Sequence, residues 1–132
     1  MKIAIVGAGK LGVKLVSALS GGEHSITLID ENNEKINKVS QQYDVIPVIG
    51  NAKQLSLLKE NAIEHFDFLI ACTDSDEQNI IIASFAKKLG CSKSIARVRD
   101  PEHMNQMDFI KETMNIDYLV NPDLAITNEI YK

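Results

Sequence analysis

Lys2-Ile3-Ala4-Ile5-Val6, followed at once by Gly7-Ala8-Gly9-Lys10-Leu11-Gly12, is the stretch on which the fold turns. The first segment is a nearly continuous apolar run, the pattern of a parallel strand covered on both faces. The second fits G-x-G-x-x-G. Beyond it Leu11, Leu15, Val16 and Leu19 recur at helical spacing until Gly21-Gly22 stops the helix. Strand, glycine loop and helix in that order give the motif its meaning. Gly7 permits the tight turn, Gly9 lets the backbone approach a pyrophosphate, and Gly12 lets helix and strand pack closely. The start of the helix offers free N–H groups and a partial positive charge to phosphate oxygens.

Outward from that unit the chain keeps alternating. Ser25–Asp30 is a second strand, followed by a polar helix to about Gln42. Val45–Ile49 is a third strand containing Pro47, and a proline lacks the ladder donor, which places this strand at a sheet edge. A helix is expected from Lys53 to about Asn61, a fourth strand over Phe68–Cys72, and a long helix over Asp76–Leu89 closed by Gly90. Ser94–Val98 is a fifth strand. Asp100-Pro101 opens a helix with Asp as N-cap and Pro at the first position. Tyr118–Val120 is a short sixth strand, and Asn121-Pro122 repeats the helix-opening chemistry ahead of a helical 123–132. The expected fold is α/β: a Rossmann-like, doubly wound, six-stranded parallel sheet in the order 3-2-1-4-5-6 with right-handed crossovers. That order puts the proline-bearing strand at an edge. Residues 1–132 read as a single domain, with 1–120 as the Rossmann core.

Composition narrows the partners. A net charge of −4 with no basic stripe argues against nucleic acid. No apolar run approaches the ~20 residues that cross a bilayer, and the opening apolar run is too short for a signal peptide. A cytoplasmic protein without direct membrane insertion is expected. Cys72 and Cys91 stand apart with no CxxC pairing, and read as buried reduced thiols. His24, His65 and His103 are scattered, and none is assigned a catalytic role.

Several residues cluster at strand ends where a nucleotide would lie. Asp30 closes the second strand near the ~20-residue spacing of a ribose-binding acid, though an Asp there also caps the next helix. Glu31 follows with no arginine nearby, so a 2′-phosphate meets charge repulsion and NADP is disfavoured. NAD, ADP and ATP all keep the free 2′-hydroxyl. Lys10 is the base inside the glycine loop, either a phosphate contact or a solvated lysine. Gly50-Asn51-Ala52 closes the third strand, where Asn51 offers a donor and an acceptor to a base edge or caps a helix. Cys72-Thr73-Asp74-Ser75-Asp76-Glu77 follows the fourth strand across the switch point, with Ser75 and Gln78 matching a capping box. The acids of this loop suit a helix N-terminus, and no metal site is assigned. Arg97 and Arg99 alternate at the end of the fifth strand on one side. They bind phosphate or pair with acids such as Asp74 and Asp76, with ion pairing at least as strong a reading for Arg97.

Taken in order, Gly7–Gly12, Asp30, Gly50-Asn51, the Thr73–Asn79 stretch and Ile95–Glu102 resemble the N-terminal nucleotide-binding domain of TrkA/KtrA-type potassium-uptake regulators, the RCK or KTN domain. The resemblance covers essentially the whole chain. It implies a non-enzymatic, cytoplasmic regulatory subunit that binds NAD(H) foremost, or ADP, ATP or AMP. It also implies a homo-oligomer, a dimer or larger ring, that controls a membrane potassium transporter or channel and meets the membrane only through it. By position, Gly7–Gly12 hold phosphates, Asp30 with Glu31 the ribose side, and Gly50, Asn51, Ala52, Cys72, Thr73, Asp74, Asn79 and Arg99 the remaining walls. Lys10 stands where relatives often carry an arginine, and lysine lacks the planar fork. Asp123 aligns with an acid that helps bind a cation in some relatives, but here reads as a helix-start acid. Leu124, Ile126 and Ile130 would face a partner from a helix over 121–132, and family members usually continue into a smaller ligand-sensing domain. The alternative is an NAD-dependent oxidoreductase domain lacking its substrate domain, but no Tyr/Lys or His/Asp pair stands ready to serve a nicotinamide.

Overall fold

Apolar alternation along the first strand already assigns two sides to the sheet. In the computed structural model, which describes residues 1–122, β1 (Lys2–Val6) sends Ile3 and Ile5 to one core and Ala4 and Val6 to the other. The first core collects Val16 of α1 (Lys10–Leu19), Leu28 of β2 (Ser25–Asp30), and Ile36 and Val39 of α2 (Asn33–Gln42). The second gathers Leu58 of α3 (Leu55–Glu60), Leu69 and Ala71 of β4 (Phe68–Ala71), Ile82, Ala83 and Ala86 of α4 (Asp76–Leu89), and Ala96 of β5 (Lys93–Arg97). Helices therefore cover both faces.

With β3 (Ile46–Ile49) and β6 (Tyr118–Val120), the sheet has six strands in the order β3-β2-β1-β4-β5-β6, every pairing parallel. The order changes direction between β1 and β4, and the glycine loop leaves the sheet there. Pro47 sits opposite Leu28 on the edge strand, where its missing donor costs no ladder bond. Gly90 ends α4 in the left-handed region at φ 116°, its N–H returning to the carbonyls of Ala86 and Lys87.

Local polar chemistry shifts some boundaries from the sequence expectation. The helix expected from Lys53 begins at Leu55, because Asn51 makes a turn of its own. Its Oδ1 accepts from the Lys53 N–H at 2.9 Å and its carbonyl from the Gln54 N–H at 3.0 Å. The helix opened by Asp100-Pro101 divides into α5 (Pro101–Met104) and α6 (Met107–Met114), since Gln106 leaves helical geometry at φ −119°, ψ 18°. The break lets Met104, Met107, Ile110 and Met114 all turn onto the second core. Asp100 does cap this segment, accepting from the Glu102 N–H at 2.9 Å. The fifth strand lies one residue earlier than expected. The expected helix over 123–132, with Asp123, lies outside the described residues.

Two contacts lock the loops at the carboxyl end of the sheet. A Cβ on Gly12 would run into the backbone carbonyl of Gly7, so α1 rests on the loop at a distance only glycine allows. Asp76, 8% exposed, accepts from the backbone N–H groups of Arg99 and Asp100 and lies 3.0 Å from Nδ1 of His103. Burial pushes the Asp76 carboxyl up, but the Asp100 N–H, His103 and the Arg99 N–H together hold it below its ordinary range. The bond to Asp76 raises the His103 imidazole, with burial opposing and Asp100 and Glu77 adding to the rise.

Gly12→Ala should lose about 3 kcal/mol or more of stability, the upper range for overpacking, because the obstructing atom is backbone; urea unfolding measures it. The Asp76–His103 bond stabilises fully below the unfolded histidine value of ~6.5 and above the unfolded aspartate value of ~3.9. It is lost as pH rises through the raised His103 value or falls through the lowered Asp76 value. Melting temperature should therefore decline above pH ~6.5, and His103→Gln should flatten that decline in a pH series of thermal melts.

Candidate functional site

The carboxyl ends of β1, β2, β4 and β5 open into a cleft of about 1110 Å³ at the point where strand order reverses. Open parallel sheets bind ligands at such a point. Of the residues assigned to the site from sequence, all but Gly12 and Asn79 line this cleft. Gly12 acts from behind, by letting α1 approach the loop.

The three loop glycines are held to different demands. Gly7 adopts φ +113°, and a Cβ there would stand 2.9 Å from the Cys72 carbonyl oxygen. Gly7 and Gly12 are thus required by the protein's own packing. Gly9 is not: its φ is an ordinary −82°, and nothing lies within 4 Å of where its Cβ would be. Gly9 is also the N-cap of α1 and brings no side-chain bond to the first turn, whose leading residues line the cleft and whose leading N–H groups have no partner within the helix.

Asp30 is fixed by two backbone donors. Oδ2 accepts from the Ala8 N–H at 2.7 Å, and Oδ1 from the Asn32 N–H at 2.8 Å. A carboxylate offers about four acceptor sites, so lone pairs remain for hydroxyls in the cleft. The capping role weighed for Asp30 belongs instead to Asn32, whose side chain accepts from the Lys35 N–H at 3.0 Å. Asn51 spends its Oδ1 on the turn at Lys53 and is left with its amide donor for the cleft.

Across the switch point, Asn79 needs correction as a lining residue. It is fully buried and its amide is consumed internally. Oδ1 accepts from the Thr73 N–H and hydroxyl at 2.8 and 2.7 Å, while Nδ2 donates to the carbonyls of Thr73 and Arg97, each at 3.0 Å. Asn79 is the clamp that holds the loop after β4 beside the end of β5. Only half of the expected capping box is recorded: Ser75 Oγ accepts from the Gln78 N–H at 3.2 Å.

Burial pushes the Cys72 thiol up to about 12, with Arg97 opposing and Asp30 adding to the rise. The thiol donates to the Val6 carbonyl at 3.3 Å, so it is neutral and engaged. Both arginines line the cleft but differ in what holds them. Arg99 is the ion-pairing one, its Nη2 donating to the Asp74 carbonyl at 3.1 Å and lying 4.0 Å from the Asp74 carboxylate. Arg97 lines the cleft with no carboxylate partner among the described residues. Sequence reading also missed Lys14 of α1 and Lys35 and Lys38 of α2, which extend the cleft wall. On sequence alone they look like ordinary solvated helix faces.

Among the described residues, no helix is long and apolar enough to cross a membrane. Known proteins place the chain further. The Trk system potassium uptake protein TrkA homolog of Archaeoglobus fulgidus is 31% identical over 129 residues, covering 98% of this chain and 29% of that protein. The chain therefore spans less than a third of this relative. The TrkA-N domain of the inner membrane protein ybaL from Escherichia coli superimposes with a TM-score of 0.83 at 18% identity, over 98% of this chain and 93% of that one. The GsuK channel bound to NAD and GsuK bound to ADP each match with a TM-score of 0.76 at 19% identity. They cover 90% and 91% of this chain, and 21% and 31% of theirs. The model of the TrkA-N domain matches residues 3–122, the span that carries the sheet and its cleft. On that match the chain belongs to the TrkA-N domain family.

Proposed function

We propose that this domain is the nucleotide-sensing part of a potassium-uptake regulator. It binds NAD(H), or an adenine nucleotide, in the cleft at Gly7–Gly12 and passes the bound state to a membrane potassium transporter or channel through a homo-oligomeric assembly. The observation that carries the reading is Gly9. Its neighbours Gly7 and Gly12 are explained by internal packing, whereas Gly9 guards empty space over the start of α1. A pyrophosphate approaching the backbone fills that space and meets the free N–H groups of the first turn.

Asp30 supports a ribose with both hydroxyls free. Its carboxylate is tethered by Ala8 and Asn32 and cannot swing away from a 2′-phosphate. With Glu31 beside it, NADP is rejected by charge. ADP-bound and NAD-bound forms of GsuK, on the same fold, support both ligand classes.

The domain is read as a sensor without chemistry of its own. Hydride transfer needs an acid or base beside the nicotinamide. The Cys72 thiol stays neutral and bonded, and the one His/Asp pair among the described residues, His103 with Asp76, braces the rim from outside the cleft lining. Kinship with a TrkA homolog and a channel protein supports control of potassium flux, with a cytoplasmic domain reaching the membrane through its transporter.

Gly9→Ala should melt at the temperature of the wild type, yet bind NADH and ADP at least about tenfold more weakly, a loss of ~1.4 kcal/mol. Isothermal titration measures it, and unchanged affinity in a folded Gly9→Ala protein counts against the reading. The wild type should also bind NADH more tightly than NADPH.

A further inference from the structure

Arg97 combines a place in the cleft lining with a buried, unpartnered donor. Its side chain lines the cleft at the end of β5, half-buried. Nε is buried and has no hydrogen-bond partner, and no carboxylate pairs with the guanidinium among the described residues. Its backbone is not free to move away, because the Arg97 carbonyl accepts from Asn79 at 3.0 Å and the strand pairs with β6 at Val120. The protein thus holds an uncompensated positive charge in a fixed place, at the cost of an unsatisfied donor.

The position of that charge decides what it can do. Strand order places β5 on the far side of β1 from β2, with β4 between. Adjacent strands lie ~4.8 Å apart, so the end of β5 is ~10 Å beyond the glycine loop, away from Asp30. With the adenosine ribose at Asp30 and the pyrophosphate on the loop, the second half of a dinucleotide extends over β4 and β5. Other charges there are balanced: Arg99 faces Asp74, and the Cys72 thiol is neutral.

We infer that Arg97 sorts dinucleotides by the charge of the ring placed across the switch point, admitting neutral dihydronicotinamide and repelling the nicotinamide cation. The cleft then reads the redox state of its ligand and not merely its presence. The inference rests on the nucleotide-sensing reading above. A mononucleotide such as ADP ends at the glycine loop and should be indifferent to Arg97.

Isothermal titration of the wild type, Arg97→Gln and Arg97→Lys with NADH, NAD and ADP tests this, with thermal melts confirming that each variant is folded. The wild type should favour NADH over NAD by about tenfold or more, the scale of one unit charge acting at partly screened range. Arg97→Gln should collapse that ratio toward unity by strengthening NAD binding, Arg97→Lys should keep most of it, and ADP should change little. A wild type that binds NAD as tightly as NADH overturns the inference even if no variant folds. Equal weakening of all three ligands in Arg97→Gln also overturns it, since Arg97 would then serve the pyrophosphate. Binding of none of the three to the wild type removes the nucleotide reading and this inference together.

Discussion

The approach of Gly12 to the carbonyl of Gly7 is the constraint on which the cleft depends. It seats the first turn of α1 directly on the loop, while Gly7 is pressed from the other side against the Cys72 carbonyl at the end of β4. The loop is therefore clamped between a helix and a strand end. The Gly7 and Ala8 N–H groups are taken by the Ile29 carbonyl and the Asp30 carboxylate, which fixes the loop and leaves the leading N–H groups of α1 for a ligand. Preorganised donors lose little entropy when an anion arrives.

Side chains then add direction to a site that backbone alone would leave indifferent. Asp30 fastens the loop through Ala8 and keeps lone pairs for the cleft. Asn79 performs the matching task on the other half, joining Thr73 to the end of β5 through a fully buried amide. The two halves consequently carry opposite charge, carboxylate at β2 and guanidinium at β5. A ligand lying across the switch point would meet both charges. Asp76 and His103 brace the same rim from outside the cleft, tying the start of α4 to the segment that follows β5.

Much of this was legible in the sequence, for physical reasons. Strands buried on both faces must be largely apolar, so Lys2–Val6 and Phe68–Cys72 announced themselves, the latter one residue too long, and Pro47 located the edge. The glycine motif was legible because a strand and an amphipathic helix flank it. What stayed hidden was decided by contacts distant in sequence. Asn79 looks like any polar residue early in a helix, and only the loop after β4 and the carbonyl of Arg97 make it structural. Alternation put Arg97 and Arg99 on one side, yet β5 ends at Arg97 and the chain beyond it follows Asp76 instead. Lys35 and Lys38 show no periodic signal that separates a cleft wall from a wet helix face.

The central claim is that the glycine loop, with Asp30 on one side, holds a nucleotide. Amide chemical shifts followed by NMR during addition of NADH to the unmodified protein test it most directly. The account predicts that the largest shifts fall on Ala8, Gly9, Lys10 and Leu11 and on Glu31, with small ones on the β3 edge. Saturating NADH and, separately, ADP without any shift in the loop amides would contradict it.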